Sequence, residues 1–238
     1  MTTETTRLEH PIDVMYLIHK ALHAQAARVE ETVRRFEIGS SLQPIRSSFN
    51  IWAAALTFHA QQEDQYMTPR LADFQPARDS EAEHTTLGEM LGALDGLVDM
   101  EPTRPLAGLV KEAMVGLTQR QHAQLVEKLE DVMEVLNDEI GKTKVIARTW
   151  RHLYARVVEL RTAQDDHLEN EEAFVLPEVW QRIDEAGQLE MARRLLIDEW
   201  AEDERWVLEW MARYLTPAER KLLAELEQRF ARAPAIAG

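Results

Sequence analysis

Residues 56–66 read LTFHAQQEDQY, and residues 164–174 read QDDHLENEEAF. Each stretch sets a histidine four residues ahead of a glutamate: His59 before Glu63, and His167 before Glu171. On a helix, positions i and i+4 lie on the same face, so each pair offers an imidazole and a carboxylate in one direction. The residues on either side decide what that face meets. Phe49, Trp52 and Leu56 run into His59, Glu63 and Tyr66 in steps of three and four. Trp150, Leu153, Val157, Leu160 and Gln164 run into His167, Glu171 and Phe174 in the same way. These are apolar stripes of helical period, so both pairs are expected inside a helical protein.

Number alone would not carry the argument. With 42 acidic residues among 238, a histidine has roughly a one-in-six chance of a carboxylate at i+4. Position carries it, because an ionised glutamate on a buried stripe is costly unless it is paired or bound to a metal.

The same period extends along the chain. A helix is expected from about Pro11 to Glu37, with a stripe of Met15, His19, Leu22, Ala26, Val29 and Val33. Gly39 and Pro44 mark a break, and a second helix is expected from about Ser48 to Phe74, bent or shortened at Pro69. Ser80-Glu81-Ala82-Glu83 is a capping-box pattern opening a third, with His84, Leu87, Leu91, Leu94 and Val98 on its stripe. A fourth, from about Pro105 to Asn137, carries His122, Leu125, Leu129, Val132 and Leu136, each 38 residues after its counterpart in the third. A fifth runs from about Thr143 to Trp180, ended or kinked by Pro177. Beyond about Ile183, two further helices are expected. The first carries Leu189, Ala192, Leu196, Trp206 and Trp210; the second opens on Thr216-Pro217-Ala218-Glu219 and carries Leu222, Leu223, Leu226 and Phe230. No stretch alternates with the period of a strand, so the fold class is all-α.

Composition excludes several functions. The chain has no cysteine, which removes disulfides, thiolate nucleophiles, cysteine-ligated zinc and iron–sulfur clusters. Its 27 basic and 42 acidic residues give a formal charge of −15, which repels nucleic acid and anionic membranes. No apolar run approaches the roughly 20 residues of a membrane span, and the polar N-terminal residues show no signal-peptide pattern. A cytoplasmic location is the expectation.

Five histidines therefore lie on five apolar stripes: His19, His59, His84, His122 and His167. One core histidine is ordinarily a hydrogen-bonded residue, but four or five imidazoles with two buried carboxylates ask for a common explanation. A metal centre held by nitrogen and oxygen supplies it, with iron, manganese or zinc as the suitable ions. His10, His23 and His152 fall off the stripes and are read as bystanders, and Tyr66 as a core residue with a ligand contact as the alternative. A ferritin-like site would need Glu-x-x-His pairs on two helices; only Glu81-Ala-Glu-His84 fits, so that class ranks lower.

The ordered set His19, His59-xxx-Glu63, His84, His167-xxx-Glu171 resembles the signature of hemerythrin-like (HHE cation-binding) proteins, as do the words LIHKAL, FHAQQED, EAEHTTL and DDHLENEEAFVLPEV. The resemblance covers roughly Glu9 to Trp180. It implies an antiparallel four-helix bundle, here over residues 1–182 and carrying an inserted helix at about 103–140; the Trp-rich two-helix C-terminal extension expected over 183–238 lies outside the resemblance. It implies two non-haem iron ions, oxo- or hydroxo-bridged, with manganese as the alternative. His19, His59, His84 and His167 would be terminal ligands, and Glu63 and Glu171 the bridges. The inserted helix is a departure from the family, and it leaves His122 as a further ligand, a replacement for His84, or a relic. The implied partner is a small oxidant, O2, peroxide or NO, with peroxidase, catalase-like or oxidase activity open. Oxidation of a small organic substrate and a non-catalytic iron-sensing module are the competing functions. Four of the six tryptophans fall between Trp180 and Trp210; they pack the extension onto the bundle or, alternatively, form a homodimer surface or line a cofactor pocket.

Overall fold

The computed structural model describes residues 5–37, 40, 43–71, 84–92 and 147–230. Among these residues all regular structure is helical and no strand occurs. The inserted helix, the Ser80 capping box and His122 lie outside the described residues.

A 3-10 turn at Pro11–Asp13 leads into α1 (Val14–Arg34). Pro11 occupies the first turn, where its missing N–H is no loss. Asp13 closes this entry by accepting the backbone N–H groups of Glu9 (2.7 Å) and His10 (2.8 Å). The six stripe residues of α1, Met15 to Val33, are all buried.

Helix α2 (Gln43–Tyr66) begins earlier and ends earlier than the sequence suggests. Pro44 does not separate two helices; it lies in the first turn of α2, the one place a helix accepts proline freely. A 3-10 turn, Thr68–Leu71, follows α2, and Phe74 lies outside the described residues. Pro69 accounts for the end of α2, since it cannot donate and it disfavours helical geometry at the residue before it.

The described part of the third helix covers 84–92, with His84, Leu87 and Leu91 buried as expected. Next comes α3 (Ala147–Asn170), a π-helical turn (Glu171–Val175) and α4 (Leu176–Arg182). The stripe Leu153, Val157, Leu160, Gln164, His167, Glu171 is buried throughout. One expectation fails beyond it. Phe174 is 55% exposed, because the wider π turn advances the inward face by one residue, to Val175, Leu176 and Val179. Of the two readings of Pro177, an end or a kink, the end is excluded, since Pro177 falls in the first turn of α4 and the chain stays helical to Arg182.

Among the described residues, the C-terminal region holds three helices rather than two: α5 (Glu185–Leu196), α6 (Trp206–Met211) and α7 (Pro217–Phe230). The expected continuous helix breaks around Asp198. Its carboxylate accepts the Trp206 indole N–H (2.9 Å) and the Trp200 backbone N–H (3.2 Å), an alternative to helical hydrogen bonding. Asp184 caps α5 by accepting the Gly187 N–H at 2.9 Å.

The chain divides into two compact units. The first takes residues from Met1–Ala24, Phe58–Glu81 and Asp166–Gly238. In it the C-terminal helices pack against the N-terminal turn and the end of α2. The Trp180 indole donates to Asp13 Oδ1 at 2.9 Å, Trp206 meets Phe58 edge-on at 5.6 Å, and the Arg194 guanidinium lies 5.1 Å from the centre of the Tyr66 ring. Trp210 is buried, whereas Trp200 is 95% exposed. The second unit takes Gln25–Thr57 and Ala82–Asp165. Its helices are joined by Trp52 donating to Gln164 Oε1 (2.7 Å), Trp150 donating to the Val33 carbonyl (2.8 Å) and an Arg161–Glu30 ion pair (2.7 Å). No described helix is long and apolar enough to cross a membrane.

Candidate metal centre

The first unit brings five of the seven candidate ligands together. His19 comes from α1, His59 and Glu63 from α2, His167 from the last turn of α3, and Glu171 from the π turn. All five are at most 2% exposed. Ligand atoms of His19, His59, Glu63 and Glu171 lie within 4.8 Å of one another, and those of Glu63, His167 and Glu171 do so too.

Glu171 is the centre of this geometry. Its Oε2 is 3.6 Å from His19 Nε2 and 3.9 Å from His59 Nε2. Its other oxygen, Oε1, is 3.4 Å from His167 Nε2. Glu63 Oε1 stands 3.4 Å from His59 Nε2. The His19 and His59 rings meet edge-on, 5.2 Å between centres. Two atoms each bound about 2.1 Å from one ion lie about 3 to 3.5 Å apart, so the two 3.4 Å pairs suit shared ligation, and the 3.6 and 3.9 Å pairs lie just beyond that range. The donor set is nitrogen and carboxylate oxygen alone, the set that fits iron, manganese or zinc. His19 Nε2 is buried and has no hydrogen-bond partner among the described residues.

The local sequence explains why these atoms converge. His59 and Glu63 continue the stripe that buries Phe49, Trp52 and Leu56, so the packing that drives α2 inward also carries the pair inward. His167 and Glu171 continue the stripe of Leu153, Val157 and Leu160 in the same way. The i, i+4 spacing then brings each imidazole to 3.4 Å from its own glutamate.

His84 is buried at the start of the described 84–92 helix and belongs to the second unit. The bystander histidines are where the sequence puts them. His152 is exposed, His23 is partly exposed, and His10 is partly exposed and stacks on Trp180 at 5.6 Å. Tyr66 is partly exposed beneath Arg194.

Sequence reasoning missed Glu172. Its Oε1 lies 2.9 Å from His19 Nδ1, on the imidazole nitrogen opposite the one facing Glu171. Nothing in a period-3.6 pattern marks this residue, because it follows a stripe position directly. It also missed two buried acids outside the cluster, Asp13 and Glu219, although both sit in recognisable capping patterns. Glu219 accepts both Lys20 Nζ hydrogen bonds (2.7 and 2.8 Å) and the backbone N–H groups of Thr216 (2.8 Å) and Thr5 (3.1 Å).

Residues 10–119 match the family model described as hemerythrin HHE cation-binding domain. The matched span contains His19, His59, Glu63 and His84, and it stops short of His122, His167 and Glu171. No curated protein and no solved structure matches the chain. Residues 10–119 are thus similar to the hemerythrin HHE cation-binding domain, in a chain whose described residues are helical and gather a buried His/Glu cluster that could hold a metal ion.

Proposed function

We propose that this chain holds a pair of non-haem iron ions and binds or reacts with a small oxidant: O2, peroxide or NO. The observation that supports it best is the Glu171 carboxylate, which turns one oxygen to His19 and His59 and the other to His167. A carboxylate so placed suits a bridge between two ions. Glu63 would be the second bridge, and His19, His59, His84 and His167 would be the terminal ligands. His122, outside the described residues, would be a further ligand, a substitute for His84, or a relic. Within an antiparallel four-helix bundle this is the arrangement the resemblance implies.

Bound iron would supply Lewis acidity and redox electrons. The chain supplies the rest. Near-complete burial of His19, His59, Glu63, His167 and Glu171 excludes water and strengthens each electrostatic contact. The carboxylates offset the charge of the ions, and the neutral imidazoles add donors without adding charge.

Iron loading followed by metal analysis and absorption spectroscopy tests this. The wild type should hold about two iron ions and show the near-ultraviolet charge-transfer band of a ferric pair. Glu63→Ala and Glu171→Ala should lose metal and band together, with far-ultraviolet circular dichroism showing that the helices persist. Retention of both by either variant overturns the ligand set. His84→Ala and His122→Ala, measured in parallel, decide which histidine ligates. Peroxide turnover by the loaded protein separates an enzyme from a binding or sensing module.

A further inference from the structure

We infer that Glu172 is a positioning residue for His19, holding its imidazole so that Nε2 is presented to the metal centre. The inference rests on the metal reading above and adds a residue that reading does not use. Two consecutive carboxylates address the two nitrogens of one ring. Glu172 Oε1 is 2.9 Å from Nδ1, and Glu171 Oε2 is 3.6 Å from Nε2. A carboxylate can only accept, so the 2.9 Å contact places the proton on Nδ1. The neutral ring then carries its lone pair on Nε2, the buried atom without a hydrogen-bond partner among the described residues. That is the tautomer a ligating imidazole needs, and an outer carboxylate of this kind fixes ring orientation and raises ligand basicity.

The π turn is the structural cause. In a regular α-helix, neighbouring side chains diverge by about 100°. Glu171 and Glu172 open the π turn Glu171–Val175, whose i→i+5 bonding gives a wider turn and a smaller rotation between neighbours. Both carboxylates therefore reach the same histidine on α1. Exposure differs as the two roles require. Glu171 is fully buried, and the Glu172 side chain is 34% exposed.

The test uses the full chain with Glu172→Leu, Glu172→Gln and Glu172→Asp. In the metal-free wild type, nitrogen-15 spectra of the histidine rings should show His19 as the Nδ1–H tautomer. Glu172→Leu should shift that signal toward a tautomer mixture, and Glu172→Gln, whose amide oxygen still accepts, should retain it. Affinity for Co(II), read by titration, should fall about 10- to 100-fold in Glu172→Leu. Glu172→Gln should lose less, and Glu172→Asp should recover part of the loss. A Glu172→Leu protein with unchanged His19 signals overturns the inference, as does one with wild-type Co(II) affinity. If the wild type takes up no metal, the di-iron reading fails, and the tautomer spectra still decide the role of Glu172.

Discussion

Two groups of buried acids occupy the same compact unit and are satisfied in opposite ways. Glu219 is fully buried and meets a cation from the chain itself, Lys20, together with two backbone N–H groups. It also closes a reciprocal capping box, since its own N–H is 3.3 Å from Thr216 Oγ1. Glu63 and Glu171 are equally buried, yet what surrounds them is imidazole: His19, His59 and His167. An imidazole is a weak, pH-dependent cation and a good metal ligand, whereas an ammonium is a permanent cation and no ligand at neutral pH. One region is therefore complete as a polypeptide. The other gathers nitrogen and carboxylate donors that could hold a metal ion.

That contrast is open to experiment. The largest effect expected is loss of metal binding in Glu171→Ala, while Glu219→Ala keeps its metal stoichiometry; equal losses in the two variants would erase the distinction. Next comes stability without metal. Glu219→Ala leaves Lys20 beside an uncompensated site and should cost about 3–5 kcal/mol in denaturant unfolding. The double variant Lys20→Met/Glu219→Leu should recover most of that, because an apolar pair avoids the desolvation cost.

Metal itself should act on only one region. At about 100 times its dissociation constant, a bound ion adds about 2.7 kcal/mol. Chelation should remove this increment by the same amount in wild type and Glu219→Gln. An increment that differs by more than about 0.5 kcal/mol would show that the two regions are coupled.

Acid supplies a smaller effect of defined sign. Burial pushes the Glu219 carboxyl up, but the hydrogen bonds from Lys20, Thr216 and Thr5 and the Lys20 charge outweigh it, so the group sits below its ordinary value of 4.5. A carboxylate with a lowered folded value stabilises the fold fully above the unfolded value and loses that contribution as pH falls through the folded one. Acid unfolding of the metal-free protein should accordingly be shallower below pH 4.5 in Glu219→Gln than in wild type. The smallest effect belongs to Trp200, which is 95% exposed. Trp200→Ser should change stability by less than about 0.5 kcal/mol. If the Trp-rich extension forms a homodimer, sedimentation should show this variant shifted toward monomer.

Much of the fold could be read from period alone. The α1 stripe, the α2 stripe from Phe49 to Glu63 and the α3 stripe from Leu153 to Glu171 are buried as the steps of three and four require. Helix ends were less legible. Pro44 and Pro177 looked like breaks but sit in first turns, where proline costs little, and a residue pattern does not say on which side of a proline the helix lies. The long C-terminal helix was broken by Asp198, whose competing hydrogen bonds depend on where Trp206 comes to rest.

The candidate site divides along the same line. Sequence by itself determined which side chains face inward. His19, His59, Glu63, His167 and Glu171 lie on apolar stripes, and an i, i+4 spacing brings each histidine–glutamate pair to one face whatever the rest of the chain does. Only the tertiary structure decided how those faces combine. It gave Glu171 to three histidines at once and opened a π turn at that residue. It set Glu172 behind His19 and drew Lys20 onto a glutamate 199 positions away. The reason is physical. Helical period is a local property of a few turns, while the partner of a buried charge is chosen by what long-range packing brings within about 3 Å.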